Sequence, residues 1–274
     1  MHNKKRLSTI ISVILLGIIA VGFLFPFVWM VATSFKPTNE VFTFTPVGSE
    51  VAWENYPSAL RSIPFGRVVL NSFIVSLAGA ALVVVVSVLS AYAFARLRFK
   101  GRDHLFMVFL GTLVLPQEVL VIPLYIGMQR MGLVNSYFAL IVPFAFGAFG
   151  AFLIRQFLMS LPLEFEEAAR IDGCSDWKIL TKILLPLLKA PITVVGVFAF
   201  IDYWSAFLWP LIVVNDSTLA TIPLGLQMFS GERGTDWGPL MAAVTMTTIP
   251  SIMLVVFLQK QLEKGVTLGA FGGR

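Results

Sequence analysis

Charged residues are missing from long stretches of this chain, and those stretches predict its elements. Residues 7–35, 68–95, 131–154 and 237–259 contain no Asp, Glu, Lys or Arg. A bilayer-crossing helix needs about 20 mostly apolar residues at a rise of about 1.5 Å each, and all four runs are long enough. Two more apolar runs carry one acid each: 105–129 holds Glu118, and 190–215 holds Asp202. The pattern predicts an all-α membrane protein of six transmembrane helices, two with a carboxylate near the middle. Lys4, Lys5 and Arg6 precede the first run as in a signal peptide. That run exceeds the roughly 7–15 apolar residues of a signal core, so it is read as a retained helix.

Composition narrows the class. With 57% hydrophobic and 13% charged residues and a mean hydropathy of +0.86, the chain lies far from soluble domains, which carry about 25% charge. Disorder needs the opposite balance. The single cysteine, Cys174, excludes an internal disulfide. With only His2 and His104 beside it, no metal cage is expected. Alternating the runs across a membrane puts 15 basic residues on the N-terminal side and 5 on the other. The positive-inside rule then predicts a multi-pass membrane protein with both termini in the cytoplasm. Cys174 is then a free thiol in a reducing compartment. The basic residues are spread over separate loops, which argues against nucleic acid as a partner.

Three regions follow: residues 1–67 as a first transmembrane helix with an external segment, 68–258 as the core transmembrane domain, and 259–274 as a cytoplasmic tail. The external segment 36–67 contains Pro37, Pro46, Pro57 and Pro64, and a second external loop, 216–236, has Pro223, Gly231 and Gly234 as breakers. Within 160–190 two short helices are expected. Pro162 suits the first turn of one, whose N-terminal end is acidic at Glu164, Glu166 and Glu167 and which stops at Gly173. Ser175 is the N-cap of the second, which runs to Pro186. Together they form a compact cytoplasmic knob on which Ala168 and Ala169 let another protein approach closely.

Glu167-Ala-Ala with Gly173 four residues on, then Ile183-Leu-Leu-Pro186, resembles the "EAA" loop of ABC-importer permeases. Asn71-Ser72, Ala91-Tyr-Ala-Phe-Ala-Arg96 with Phe99 and Gly101, Pro116, Pro123-Leu124, Tyr203-Trp204, Phe207-Leu-Trp-Pro210 and Gly265 extend the resemblance from about residue 68 to the C-terminus. They point to the binding-protein-dependent carbohydrate branch, in particular its shorter six-helix, maltose-permease-like subunit. The resemblance implies a type I ABC-importer permease fold, a coupling helix and half of a translocation pore in the (inner) membrane of a bacterial or archaeal cell. It implies three partners: a second homologous permease, a cytoplasmic ATPase dimer and an extracytoplasmic sugar-binding protein. It places ATPase coupling on Glu167, Ala168, Ala169, Asp172, Gly173, Ile183 and Pro186. No phosphate-cradling Gly-x-x-x-x-Gly-Lys-Ser/Thr run occurs. ATP hydrolysis is therefore expected in another chain, with no cofactor and no enzymatic activity in this one.

Intramembrane carboxylates cost a few kcal/mol on insertion scales and suggest a pathway or a buried partner. Glu118 and Tyr125 are seven apart, as are Asp202 and Trp209 with Ser205 between them, a spacing that puts each pair on one helix face. An acid beside an aromatic ring suits sugars, since carboxylates accept from hydroxyls and rings cover C–H faces. These five residues are the expected pathway positions. The aromatic run 144–152 is expected to face lipid or packing, with Gly147 and Gly150 permitting close helix contact. Two other readings stay open on the residues alone: an ion-coupled secondary transporter carrying protons on Glu118 or Asp202, and a membrane-embedded transferase.

Overall fold

Along the chain, the apolar runs become helices, and several of them are broken. The computed structural model describes residues 2–231 and 234–271. Arg233 and Arg274, which entered the charge count, lie outside them. Helix α1 spans His2–Ser34, and its most apolar window within Ile11–Ser34 has no buried residue, as lipid exposure requires. Then come α2 (Asn55–Ser62) and the 32-residue α3 (Phe65–Arg96). These two long helices, α1 and α3, are apolar enough to cross a membrane unbroken.

The third run does not form one helix. Helix α4 (Arg102–Gly111), with a 3-10 turn at Thr112–Val114, meets α5 (Gln117–Arg130) at a bend of 102°. Proline disfavours helical backbone at the residue before it, and Leu115 is extended ahead of Pro116. Pro123, by contrast, lies within α5 without ending it.

The fourth run also breaks. Asn135 takes a left-handed conformation (φ 60°), and Ser136 caps α6 (Tyr137–Ile141) by accepting from the Ala139 N–H. The chain turns at Pro143 and Gly147 before α7 (Ala148–Ser160). Helix α8 (Glu164–Ile171) follows α7 at 78°. Pro162 lies just before the Leu163 N-cap of α8 rather than in its first turn.

Gly173 has φ +75°, a conformation that a side chain penalises. Ser175 then caps α9 (Asp176–Lys178), its side chain accepting from the Lys178 N–H. The second helix of the loop is not α-helical throughout, because Ile179–Leu184 is a π-helix in which the Leu185 N–H reaches back to the Leu180 carbonyl. Pro186 has no N–H to offer the Lys182 carbonyl, so a regular α-helical ladder cannot run through this turn. After α10 (Leu185–Leu187) the chain bends by 81° into α11 (Lys189–Ser205), where Pro191 leaves the Leu187 carbonyl without its helical donor.

The fifth run ends early. Ala206 is extended, and a separate α12 (Leu208–Val213) follows. Helix α13 (Ile222–Gln227) holds Pro223 in its first turn, where the missing N–H costs nothing. A small antiparallel hairpin pairs β1 (Ser230–Gly231) with β2 (Gly234–Thr235). Helix α14 (Trp237–Phe271) continues through the region expected to be a tail. With the three bent pairs counted as one span each, the candidate spans number up to 5, and α14 adds the last apolar passage.

The chain divides into two compact units: Met1–Phe65 with Gly225–Ser251, and Gly66–Leu224 with the part from Ile252 onward. In the first unit, Ala59, Ile63, Phe229, Ala242 and Ala243 form the core. Asn55 ties the end of α1 down, its Nδ2 donating to the Ser34 and Lys36 carbonyls at 2.9 Å each. The second unit has two main cores. One joins Val88, Ala91 and Tyr92 of α3 to Ile154 and Leu158 of α7, Ala169 of α8, and Ile179, Leu180 and Leu184 of the π-helix. The loop is thus rooted in the helices beneath it rather than hung from them. The other core packs Val75, Val121, Ala139, Leu140, Tyr203 and Trp209.

Polar residues collect at the two ends of α3, about 37 Å apart over 25 residues. Near its start, Asn71 donates to the Thr218 and Ala220 carbonyls at 2.9 Å and accepts from the Tyr137 hydroxyl at 2.6 Å. Ser72 accepts the Ile222 N–H at 2.7 Å. At its far end, Arg96 pairs with Glu166, and Arg155 donates to the Phe94 carbonyl. Nearby, Asp103 lies 3.1 Å from Arg102 and 3.5 Å from Arg155.

Candidate functional site

Two places in the second unit combine exposure with chemistry. The first is the loop around Gly173. Helix α8 is amphipathic, so positions three apart share a face. Ala169 and Glu166 are buried, while Glu167 and Ala168 face outward. Asp172, Gly173 and Pro186 are exposed as well, and Ile183 is half-buried against the α3–α7 core. Of the two alanines expected to meet another protein, Ala168 alone is outward; Ala169 packs inward because it lies on the face that closes the core. Arg170 braces the turn with a 2.6 Å ion pair to Asp176.

The sequence placed Glu166 with Glu164 and Glu167 at the acidic end of the helix, whereas the structure sets it apart as a buried, paired group. Its side chain is 6% exposed and that of Arg96 8%, with Nε to Oε1 at 2.5 Å. The Arg96 guanidinium also donates to the Leu158 carbonyl at 2.7 Å and the Leu161 carbonyl at 3.4 Å. The signal was present: three residues before an inward Ala169, position 166 must face in as well.

The second place is a cavity of about 440 Å³. Glu118 reaches it from the first turn of α5, where the positive end of a helix favours a carboxylate. Asp202 reaches it from the last turn of α11, and Gln117 and Ser205 add further polar groups. Neither acid forms an ion pair among the described residues, and no Lys, Arg or His lines the cavity. The walls are aromatic: Phe144, Phe149, Phe198, Tyr203 and Phe207.

The breaks in the helices decide which expected positions meet there. Glu118 and Tyr125 share α5, yet Tyr125 is half-buried against the Val75–Trp209 core and does not line the cavity. The seven-residue spacing counted them on one face, but the lining turns away within two helical turns. Asp202 and Trp209 both line it, though from two different helices, because the chain breaks between Ser205 and Leu208. Trp209 is largely buried, its indole Nε1 donating to the Ala139 carbonyl at 2.8 Å. Its N–H is therefore already engaged and not offered to the cavity.

The aromatic run packs, as one of its two expected roles required, and also reaches the cavity. Phe149 meets Phe198 edge-on at 6.1 Å, and Phe144 meets Trp209 edge-on at 5.4 Å. Both phenylalanines wall the cavity, whereas the exposed Phe146 and the half-buried Phe152 do not line it. Gly150 does permit close packing, since a Cβ there would stand 2.9 Å from Val195 Cγ1. Gly147 has open space before it and lines the cavity.

An aromatic-walled cavity between broken helices and an exposed acidic loop thus lie in the same unit. Residues 83–268 match the family described as the binding-protein-dependent transport system inner membrane component. The sn-glycerol-3-phosphate transport system permease protein UgpE of Pectobacterium atrosepticum is 36% identical, the match covering 97% of this chain and 98% of that one. The diacetylchitobiose uptake system permease protein DasC of Streptomyces coelicolor is 32% identical over 93% and 94%. The probable ABC transporter permease protein YurM of Bacillus subtilis is 34% identical over 91% and 84%. In fold, the chain is similar to a solved bacterial ABC transporter involved in the import of the acidic polysaccharide alginate. That match has a TM-score of 0.82 and 23% identity over 94% of this chain and 97% of that one. The chain therefore belongs to the family of inner membrane permease components of binding-protein-dependent ABC transport systems.

Proposed function

We propose that this permease forms half of the pore of a sugar importer, with a second, homologous permease as the other half. An ATPase dimer binds its cytoplasmic loop, and a sugar-binding protein delivers cargo from outside. Both termini are cytoplasmic in this reading. The observation that carries it is the exposed row Glu167, Ala168, Asp172 and Gly173, set on a loop whose other face is buried in the same core as α3 and α7. A docked ATPase there can push on the membrane helices through close-packed contacts, which transmit displacement rather than absorb it.

The cargo is read from the cavity. Carboxylates that accept from hydroxyls, set among rings that cover C–H faces, suit a polyhydroxylated solute. Diacetylchitobiose, the cargo named for the relative DasC, is of that class. Glu118, Asp202 and Ser205 are the cargo-facing polar groups.

The test is the four-part complex in sealed vesicles. Uptake of sugar should need ATP and proceed without a proton gradient. Glu167→Lys should release the ATPase from the purified complex while the partner permease stays bound, because charge reversal at an interface costs several kcal/mol and the helix packing is untouched. Uptake driven by a proton gradient without ATP, or full retention of the ATPase by Glu167→Lys, would overturn the reading.

A further inference from the structure

Resting on the docking reading, we propose that Arg96 is a positioning residue for coupling: its buried ion pair with Glu166 clamps the docking helix α8 to the two helices whose far ends wall the cavity. The clamp has three arms. Arg96 ends α3, and its guanidinium holds Glu166 in the first turn of α8 together with the Leu158 and Leu161 carbonyls at the end of α7. Both clamped helices reach the cavity. Val83, about 20 Å up α3 from Arg96 at 1.5 Å per residue, and Val75 beyond it are lining residues. Gly147, Phe149 and Gly150 at the start of α7 are lining residues too.

Apolar packing alone would let α8 slide over its base, since dispersion contacts have no direction. A guanidinium with three acceptors has one geometry. Parting Glu166 from Arg96 would strand two charges in a site where both side chains are less than a tenth exposed. A movement of α8 is therefore followed by α3 and α7 as one body, and it arrives at the cavity wall. The exposed pair Arg170–Asp176 ties α8 to α9 and includes no residue of α3 or α7.

The test uses the complete complex in a Cys174→Ser background, with a bimane label on Gly147→Cys, a position with open space before it. ATP with vanadate is the probe. The parent complex should change its bimane emission when ATP is trapped. Arg96→Gln and Glu166→Gln should each lose at least three-quarters of that change, with the ATPase still bound and hydrolysing. Arg96→Lys should keep an intermediate response, because one ammonium retains the charge but cannot serve the carboxylate and both carbonyls.

A wild-type response in both glutamine variants would overturn the clamp, as would release of the ATPase from both, which would make the pair a docking determinant. A silent parent complex would overturn the premise that the wall moves. The docking reading fails separately, through retention of the ATPase by Glu167→Lys.

Discussion

The ring of Tyr203 fills the space that a side chain on Gly79 would need, with Cε2 2.5 Å from where a Cβ would stand. Tyr203 cannot withdraw, because its hydroxyl donates to the Ile141 carbonyl at 2.5 Å and its ring is buried among Val75, Leu140 and Trp209. Gly79 is thus the point at which α3 lets α11 approach one wall of the cavity.

Gly79→Val should overpack this contact and destabilise the protein by about 1–3 kcal/mol. The thermal midpoint of the purified complex should fall clearly. Gly147→Ala, where nothing lies within 4 Å, should leave the midpoint within error. Equal midpoints for the two variants would remove the close-approach account of Gly79.

Asn71 is a fully used amide, with both Nδ2 hydrogens and its Oδ1 engaged. Asn71→Ala leaves two carbonyls and a hydroxyl without their partner, at about 1–3 kcal/mol for each buried group so stranded. The segment 216–221 should gain amide hydrogen exchange before the rest of the protein does. Tyr137→Phe removes one of the three bonds and should loosen the segment less. A protection pattern unchanged in Asn71→Ala would contradict the anchoring role.

Glu118→Gln and Asp202→Asn keep the shape of each side chain and remove its charge. If both acids face cargo, uptake should fall at least tenfold in each, while assembly and basal ATP hydrolysis persist. The two should also act on the same step, since both side chains open into one cavity. Loss of assembly in either would reassign that acid to a structural pairing.

Asp216 gives a pH dependence with a definite sign. Its carboxyl lies below the ordinary value because it accepts the Thr218 N–H at 2.8 Å. A carboxylate with a depressed folded pKa stabilises the fold above its unfolded pKa of about 3.9 and loses that contribution as pH falls through the lower folded value. The turn at Ser217–Leu219 should therefore hold at neutral pH and open in acid. Asp216→Asn should flatten the acid-induced rise in exchange at Thr218. A rise that persists unchanged in Asp216→Asn would assign the acid sensitivity to another group.

The membrane character, the apolar runs and the two-helix loop were legible in the amino-acid sequence because each rests on a sum or a local rule. Insertion of an apolar run adds up residue by residue. Ser175 as a cap and Gly173 at φ +75° depend on the backbone within a few positions. The break at Pro116 was half legible: the proline signals a weak point, while the 102° bend needs to know what packs on either side.

Tertiary structure alone decided which residues meet. Spacing by sevens assumes an unbroken helix, and the chain breaks before Glu118 and after Asp202, so these acids share a cavity while Tyr125 turns into a core. Trp209 carries the right chemistry for a sugar face, yet its N–H is held by Ala139, 70 positions away. Arg96 and Glu166 are also 70 positions apart. Nothing local pairs them, because a buried charge finds its partner through the packing of three helices, and that packing is settled only when all of them are in place.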